Sequence, residues 1–487
     1  MLRRLLNILP VFTLLAAASA QAALPEAVSH ALQKEGLPLN SVAMYVQRLD
    51  QAPSQPQVVS HQADQPLNPA SVMKLVTTYA GLELLGPAYR WRTEIYHDGS
   101  LSNGVLNGNL YIKGYGAPDL MLENFWLMLS RLRQAGVREI RDDLVLDSSY
   151  FSSQAGDSSA FDGEPYRAYN VLPGALLVNL KASSFRFQAD EQEVTVSQEP
   201  ALPEIKIINR LKLAQSDCGD WKKQLEYEVS RPDASGFEIS GSGKAAGNSQ
   251  ATVSFHGTYA ASCGEKFLEL SVLDNASYTL GLFRQIWQQL GGSLHGELKL
   301  AEKPASATLL LEQQSWPLSD VVRRINKYSN NLMARQLLLT IATEKVGVPG
   351  TEAGGAQALR AWLADKGMDF PELVIENGAG LSRAERISAR HLGELLAHAY
   401  ASPVMPELMS SLPILSVDGT AEHRLKNSTA QGRAHLKTGS LEGVRSIAGY
   451  VLDRNGRRWA VVFMVNHPRA GASRAAQDAL LQWIYEQ

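Results

Sequence analysis

Pro69-Ala70-Ser71-Val72-Met73-Lys74 leads into a run whose apolar residues fall at 72, 75, 76, 79, 82 and 85, the spacing of one buried helix face. Gly86-Pro87 then supplies a stop. A core helix here places Ser71 in its first turn, where free backbone N–H groups and the positive end of the dipole favour a developing anion. Lys74 is three residues on, and positions i and i+3 are neighbours on a helix surface. One rigid element can thus hold a serine oxygen against a lysine nitrogen, a nucleophile with a base beside it. Alone the pattern carries little, because roughly two Ser-x-x-Lys arise by chance in a chain of this length. The rest of the chain has to supply the rest of a site.

The sequence has 487 residues, 45% hydrophobic and 20% charged, the make-up of a soluble globular protein of about two to four domains. A formal charge of -3 argues against a nucleic-acid surface, which needs a basic surplus. Met1-Leu2-Arg3-Arg4 followed by the apolar run 5–17 and by Ala18-Ser19-Ala20 or Ala20-Gln21-Ala22 reads as a cleaved signal peptide over 1–22. No cysteine stands at the cleavage point, and no later stretch approaches 18 apolar residues. Export into a periplasm without a membrane anchor is the expectation. The only cysteines, Cys218 and Cys263, suggest one disulfide in an exported protein. A zinc site needs more ligands than they offer, so neither metal nor cofactor is expected. Ser242-Gly243-Lys244 imitates the end of a phosphate-binding loop, but Glu238 and Ala245 break the pattern.

After the leader, 41–49 and 57–60 read as strands that feed the Ser71 helix. Texture changes near Trp91, where Ser102-Asn103-Gly104 and Asn107-Gly108 punctuate short strands. A helix over 120–135 and a strand over 143–147 then suggest a small α/β unit. From about 185 to 272 the text is strand-like and holds both cysteines. Helical periodicity returns at 278–287, 318–343, 355–366 and 389–400. The chain ends with strands 446–452 and 458–465 about an Asn455-Gly456 turn, and a helix from Ser473.

Two further pieces complete the first. Tyr328-Ser329-Asn330-Asn331 opens a helix whose apolar residues bury one side and leave Ser329 and Asn331 free; the plainer reading of such residues is a polar N-cap. His435-Leu436-Lys437-Thr438-Gly439-Ser440 precedes a strand, and Gly439 would let a substrate backbone lie close as an added strand. Lys437 and Thr438 would then offer a cation and a hydroxyl to a carboxylate.

Ser-x-x-Lys, Ser-x-Asn and Lys-Thr-Gly in this order are the signature set of penicillin-binding proteins and serine β-lactamases. The chain resembles one branch, the low-molecular-mass class C penicillin-binding proteins, which are D-alanyl-D-alanine carboxypeptidase/endopeptidases of the S13 peptidase family. The resemblance covers nearly all of the mature chain and includes the long insertion between the first two motifs. Asn109-Leu110-Tyr111-Ile112-Lys113-Gly114 with Ala117-Pro118-Asp119-Leu120 looks like the insert signature. Asp274-Asn275-Ala276-Ser277 resembles the point of return, and Val417-Asp418-Gly419-Thr420 has a family counterpart. Asn377-Gly378-Ala379-Gly380-Leu381-Ser382-Arg383 is similar to a family Asp-Gly-Ser-Gly-Leu-Ser segment, departing at Asn377 and Ala379. The segments at 377 and 417 need no catalytic role, because glycines in tight turns suffice to explain them.

The resemblance implies an α/β (α+β) fold: a DD-peptidase/β-lactamase-like transpeptidase domain, an antiparallel sheet flanked by helices, with a large α/β plus β-rich insertion. The domains expected are 23–91 with 275–487 (DD-peptidase), 92–185 (α/β) and 186–274 (β-rich, with Cys218–Cys263). It implies acyl transfer on peptidoglycan peptides ending in D-Ala-D-Ala and on crosslinked muropeptides, with β-lactams as acylating inhibitors. Ser71 is the implied nucleophile, Lys74 the base and Ser329 the proton relay. Asn331 would hold the substrate amide, Lys437, Thr438 and Gly439 the terminal-carboxylate side, and Ser440 part of the oxyanion hole. Asp157 and Asp162 are candidates for reading a side-chain amine, beside the plainer reading of a surface loop. Tyr328-Ser329-Asn330 also admits a Tyr-x-Asn register, one residue off. Three other outcomes stay open: a serine β-lactamase, an esterase, and a cell-wall binding protein without turnover.

Overall fold

The computed structural model describes residues 24–51, 57–152, 156–231 and 250–487. The expected leader 1–22 and Ser242-Gly243-Lys244 lie outside the described residues. The central sheet is antiparallel and built from both ends of the chain. Its strands are β1 (Val42–Arg48), β2 (Val58–His61), β3 (Ala434–Leu441), β4 (Val444–Leu452) and β5 (Arg458–Asn466), in spatial order β2-β1-β5-β4-β3. The Asn455-Gly456 hairpin forms as the sequence predicts, with Gly456 at φ 80°. Strands β4 and β5 are buried on both faces, which explains their unbroken apolar texture.

One face of the sheet packs on the terminal helices Glu26–Lys34 and Arg474–Tyr485, around Trp459, Phe463 and Leu480. The other is covered by the helix Ala389–Ala401, and α1 (Lys74–Leu85) lies against that helix. The periodicity predicts one buried face for α1, but it is buried nearly all round from Lys74 to Leu82, because other helices pack around it. Thr77 and Thr78 are polar there and hydrogen-bonded, Thr77 to the Gly378 carbonyl and Thr78 to the Lys74 carbonyl. The helical stretch 318–343 is two helices, α2 (Leu318–Tyr328) and α3 (Asn331–Lys345), the second starting where 328–331 reads as a helix opening.

The sheet of the insertion begins at Arg92, and it takes in strands well beyond residue 274. A five-stranded sheet runs in the order Leu298–Leu300, Leu144–Asp147, Leu110–Gly114, Arg92–His97, Thr308–Gln314. The helix Asn275–Gln289 packs against helix Leu122–Gln134 of the same unit. Residues 275–314 therefore belong with the α/β insert, and the chain returns to the first core at α2, not at residue 275. Helical periodicity reports that a face is buried but not against what.

The β-rich part holds strands Ser183–Ala189, Val194–Glu199 and Lys266–Leu270 in one sheet and Ala251–Ala260 with its partners in another. Phe185, Phe187, Phe255 and Tyr259 fill the space between them, with edge-to-face rings 5.0 Å apart at Phe187–Phe255. Cys218 and Cys263 form the expected disulfide, Cα to Cα 4.6 Å. The insert is tied to the first core where Gln336 of α3 exchanges two hydrogen bonds with the backbone of Gly174, and just ahead of it Trp91 donates to Thr340 Oγ1 at 2.8 Å within that core. Among the described residues no helix is long and apolar enough to cross a membrane.

Candidate active site

Ser71 lies in a 3-10 turn, Ala70–Met73, that runs straight into α1. The turn is set by Ala70, which holds a left-handed φ of 47° and whose N–H donates to Asn68 Oδ1 at 2.8 Å. A non-glycine residue in that region is uncommon and persists where neighbours over-determine it. Those neighbours are β3 and a turn near residue 380. A Cβ on Gly439 would stand 2.6 Å from the Pro69 carbonyl oxygen, and one on Gly380 1.9 Å from that of Ala70. The expectation for Gly439 is close approach by an incoming substrate backbone. Its closeness is instead used by the protein's own Ser71 turn, and Ser446 Oγ donates to the Pro69 carbonyl there at 2.6 Å.

Lys74 has no exposed surface. Its amine makes three contacts: Ser71 Oγ at 2.9 Å, Asn331 Oδ1 at 2.7 Å and the Ala379 carbonyl. Lys437, equally buried on β3, reaches Ser329 Oγ at 2.9 Å and the Thr438 carbonyl at 2.7 Å. The three motifs thus meet as two lysine–serine pairs. Burial drives Lys74 well below the usual lysine range and the nearby Lys437 lowers it further, while Glu385 opposes. Burial alone brings Lys437 down to about 7.

The α2–α3 junction explains how Ser329 and Asn331 come free. Ser329 ends α2 in the left-handed region, φ 56°, and Asn330 caps α3 by accepting from the Met333 N–H at 3.0 Å. The capping role expected of this segment falls to Asn330 alone, so its neighbours on both sides turn towards the lysines. Tyr328 is 74% exposed and Asn330 is spent on the cap, so the geometry favours the Ser329/Asn331 register over Tyr-x-Asn.

Strand β3 is an edge strand, paired to β4 on one side. On its other side Ile414 bridges to His435. His435 itself is structural, with Nδ1 on the Met409 carbonyl. Thr438 Oγ1 donates to Thr420 Oγ1 at 2.7 Å, and Arg445 reaches Ser440 Oγ. Thr420 thus orients a motif residue, so the 417–420 segment does more than turn at its glycine; its Asp418 takes an ion pair from the buried Lys327 at 2.5 Å. The turn at 377–380 likewise does more than bend the chain, since it supplies the carbonyl on Lys74.

A cleft of about 520 Å³ opens from Ser329 and Asn331 between all three parts of the molecule. Met121, Leu122, Tyr169, Leu180 and Pro200 make its wall mainly apolar, with Glu199 and Glu269 at the side of the β-rich sheet. Asp162 is occupied within its own loop, accepting from Tyr169 Oη and Asn170 Nδ2. Asp157 is exposed and accepts from Ser159 N–H and Oγ.

A nucleophile–base pair, a second serine–lysine pair and an open edge strand can together perform acyl transfer. Comparison with known proteins gives the same reading. Over 422 residues, 85% of this chain and 84% of the relative, the sequence is 26% identical to the D-alanyl-D-alanine carboxypeptidase DacB of Haemophilus influenzae. It is 28% identical over 438 residues to the D-alanyl-D-alanine carboxypeptidase of an Actinomadura species, 87% of this chain and 78% of the other. The fold matches penicillin binding protein 4 (dacB) from Haemophilus influenzae with a TM-score of 0.75 at 23% identity, covering 94% of this chain and 99% of that one. That protein has also been solved in complex with a β-lactam, which matches with a TM-score of 0.71 at 23% identity, covering 93% and 99% of the two chains. The profile of the D-Ala-D-Ala carboxypeptidase 3 (S13) family matches residues 24–487, and the chain belongs to that family.

Proposed function

We propose that this protein is an exported serine D-alanyl-D-alanine carboxypeptidase and endopeptidase of the periplasm, working through an acyl-enzyme on Ser71. The observation that carries this reading is the set of contacts at Lys74. Asn331 Oδ1 and the Ala379 carbonyl can only accept, and a neutral amine has two hydrogens for them. Its lone pair is then left for the Ser71 hydroxyl at 2.9 Å. Burial and the neighbouring Lys437 favour that neutral amine.

Ser71 Oγ attacks the carbonyl carbon of the penultimate D-alanine while its proton passes to Lys74. The N–H groups of Ser71 and Ser440 hold the oxyanion. As the C–N bond breaks, the proton that Lys74 took is relayed through the Ser329 hydroxyl to the departing amine, so Lys74 is neutral again; Lys437 holds Ser329 in place. Water then attacks the Ser71 ester while neutral Lys74 takes its proton; as the ester bond breaks Lys74 returns that proton to Ser71 Oγ, and the shortened peptide leaves as an acid. Since Asn331 gives its oxygen to Lys74, its Nδ2 hydrogens are free for a substrate carbonyl. Lys437 and Thr438 receive the terminal carboxylate. That anion raises the affinity of Lys437 for its proton, and a charged Lys437 in turn keeps Lys74 neutral. A crosslinked substrate has a second peptide to place, and the 520 Å³ cleft beside Ser329 provides the room.

The test is intact mass of the protein after benzylpenicillin, beside Ser71→Ala, with D-alanine release from a pentapeptide. A lasting adduct that needs Ser71, together with D-alanine release, is the expected result. Rapid loss of the adduct identifies a β-lactamase, and no adduct with no D-alanine leaves a binding protein.

A further inference from the structure

Of the three partners of Lys74, Ser71 and Asn331 belong to the catalytic motifs and Ala379 does not. Ala379 lies in a turn held by left-handed Gly378, φ 67°, and Gly380, φ 77°. The turn closes on a carboxylate. Glu385 has no exposed surface, and its Oε1 accepts from the backbone N–H groups of Glu376, Asn377 and Gly378 at 3.2, 3.1 and 3.0 Å. Its Oε2 is buried with no hydrogen-bond partner. Asn377 Oδ1 accepts from the Ala379 N–H at 2.9 Å, and Thr77, one turn beyond Lys74 on α1, donates to the Gly378 carbonyl at 2.7 Å. Gly380 lies against the carbonyl of Ala70, next to Ser71.

A fully buried acid is costly, and three N–H donors on one oxygen are what make it tolerable. A neutral glutamine could supply the accepting oxygen. Its amide N–H groups would then stand where Oε2 stands, in a place that offers that atom no partner. The three N–H groups on Oε1 favour the charged form of the acid.

We propose that Glu385 is a positioning residue for the Ser71–Lys74 pair: its carboxylate pins the 376–380 turn, which sets the Ala379 carbonyl on Lys74 and braces the backbone ahead of Ser71. The inference rests on the acyl-transfer function proposed for Ser71. The charged groups that face Lys74 are Lys437 from β3 and Glu385 from this turn, and Lys74 is the charge that acts on Glu385. Glu385 titrates at about 7 because burial raises it, against the pull of the three N–H groups and Lys74. Its negative charge stabilises protonated Lys74, so removing that charge makes Lys74 lose its proton at lower pH.

The experiment is the rate of Ser71 acylation by benzylpenicillin as a function of pH, read by intact mass, for the wild type, Glu385→Gln, Glu385→Asp and Thr77→Val. A wild type that takes no penicillin sinks the acyl-transfer function, and the positioning role of Glu385 falls with it. An acylated wild type puts Glu385 alone to the test. Glu385→Gln is then expected to lower the plateau rate by about tenfold or more and to move the acidic limb to lower pH. Glu385→Asp keeps the charge on a shorter arm, so the rate falls while the limb stays near that of the wild type. An unchanged rate for Glu385→Gln overturns the proposal, and so does a slower rate with an unmoved limb, which is the mark of a structural role alone. Should Glu385→Gln fail to fold by circular dichroism, Thr77→Val decides: it frees the same turn from α1 without changing charge. Slowing of about threefold or more with an unmoved limb supports the proposal, and the wild-type rate overturns it.

Discussion

The catalytic centre and the β-rich insert treat charge in opposite ways. At the centre Lys74, Lys437 and Glu385 have no exposed surface, and two residues of the site, Ala70 and Ser329, hold left-handed backbone. In the insert, Leu225–Ser230 alternates inward and outward, with Glu226 and Glu228 exposed. There the interior is aromatic and a disulfide ties the outer loops. Burying two lysines near one another lowers stability, and the centre carries that cost because a water-exposed Lys74 could not act as a base at neutral pH. The five-stranded sheet with its two apolar faces offsets it. The insert carries no such load, so its stability rests on local means, a small core and a crosslink.

Lys437→Met tests the first half of that contrast and should have the largest effect. Its folded pKa, about 7, lies below that of the unfolded chain. Between these two values the unfolded state binds the extra proton, so the wild type gains stability as pH rises from about 7 towards the ordinary lysine value. The slope from this one group reaches about 1.4 kcal/mol per pH unit, and Lys437→Met should lose it. Urea melts from pH 7 to 10 would show the difference between the two proteins widening in the wild type's favour. D-alanine release should fall by about a hundredfold or more, since carboxylate binding and the relay through Ser329 both go. A flat difference across that range would mean that Lys437 is not a buried, readily neutralised lysine.

Replacing Cys218 and Cys263 together by serine tests the other half. The disulfide closes a separation of 45 residues, for which chain entropy gives about 3–4 kcal/mol. The loss should appear as an earlier melting step, while acylation of Ser71 stays within about twofold of the wild type at low temperature. A matching loss of acylation would show that the insert and the centre are one cooperative unit.

The two regions also differ in how far the sequence reveals them. Ser71 and Lys74 are legible because helical spacing alone brings i and i+3 together, and β4 and β5 because an Asn-Gly turn separates two apolar runs. The end of the insertion is not. Helix Asn275–Gln289 has the same period whichever core it joins, and the strand Leu298–Leu300 is too short to register as alternation. Glu385 is hidden for another reason: a glutamate in sequence reads as solvated surface. Its burial depends on three N–H groups aimed by glycine backbone that only the folded turn provides. Thr420 is invisible likewise, because its partner Thr438 is near in space and not in sequence.

The smallest effect lies within a single dipeptide. Asn330 and Asn331 are the same residue type in adjacent positions, one spent on a helix cap and one on Lys74. Asn330→Ala removes the acceptor for the Met333 N–H and should cost about 1 kcal/mol in a denaturant melt. Its peptidase rate, measured well below the melting temperature, should stay within about threefold, because Ser329 is held on its far side by Lys437. Asn331→Ala takes an acceptor from Lys74 and a donor from the substrate, and D-alanine release should fall by about a hundredfold. Equal losses of rate would mean that the cap and the catalytic contact move as one. In that case the left-handed bend at Ser329, and not Asn331 alone, sets the geometry of the site.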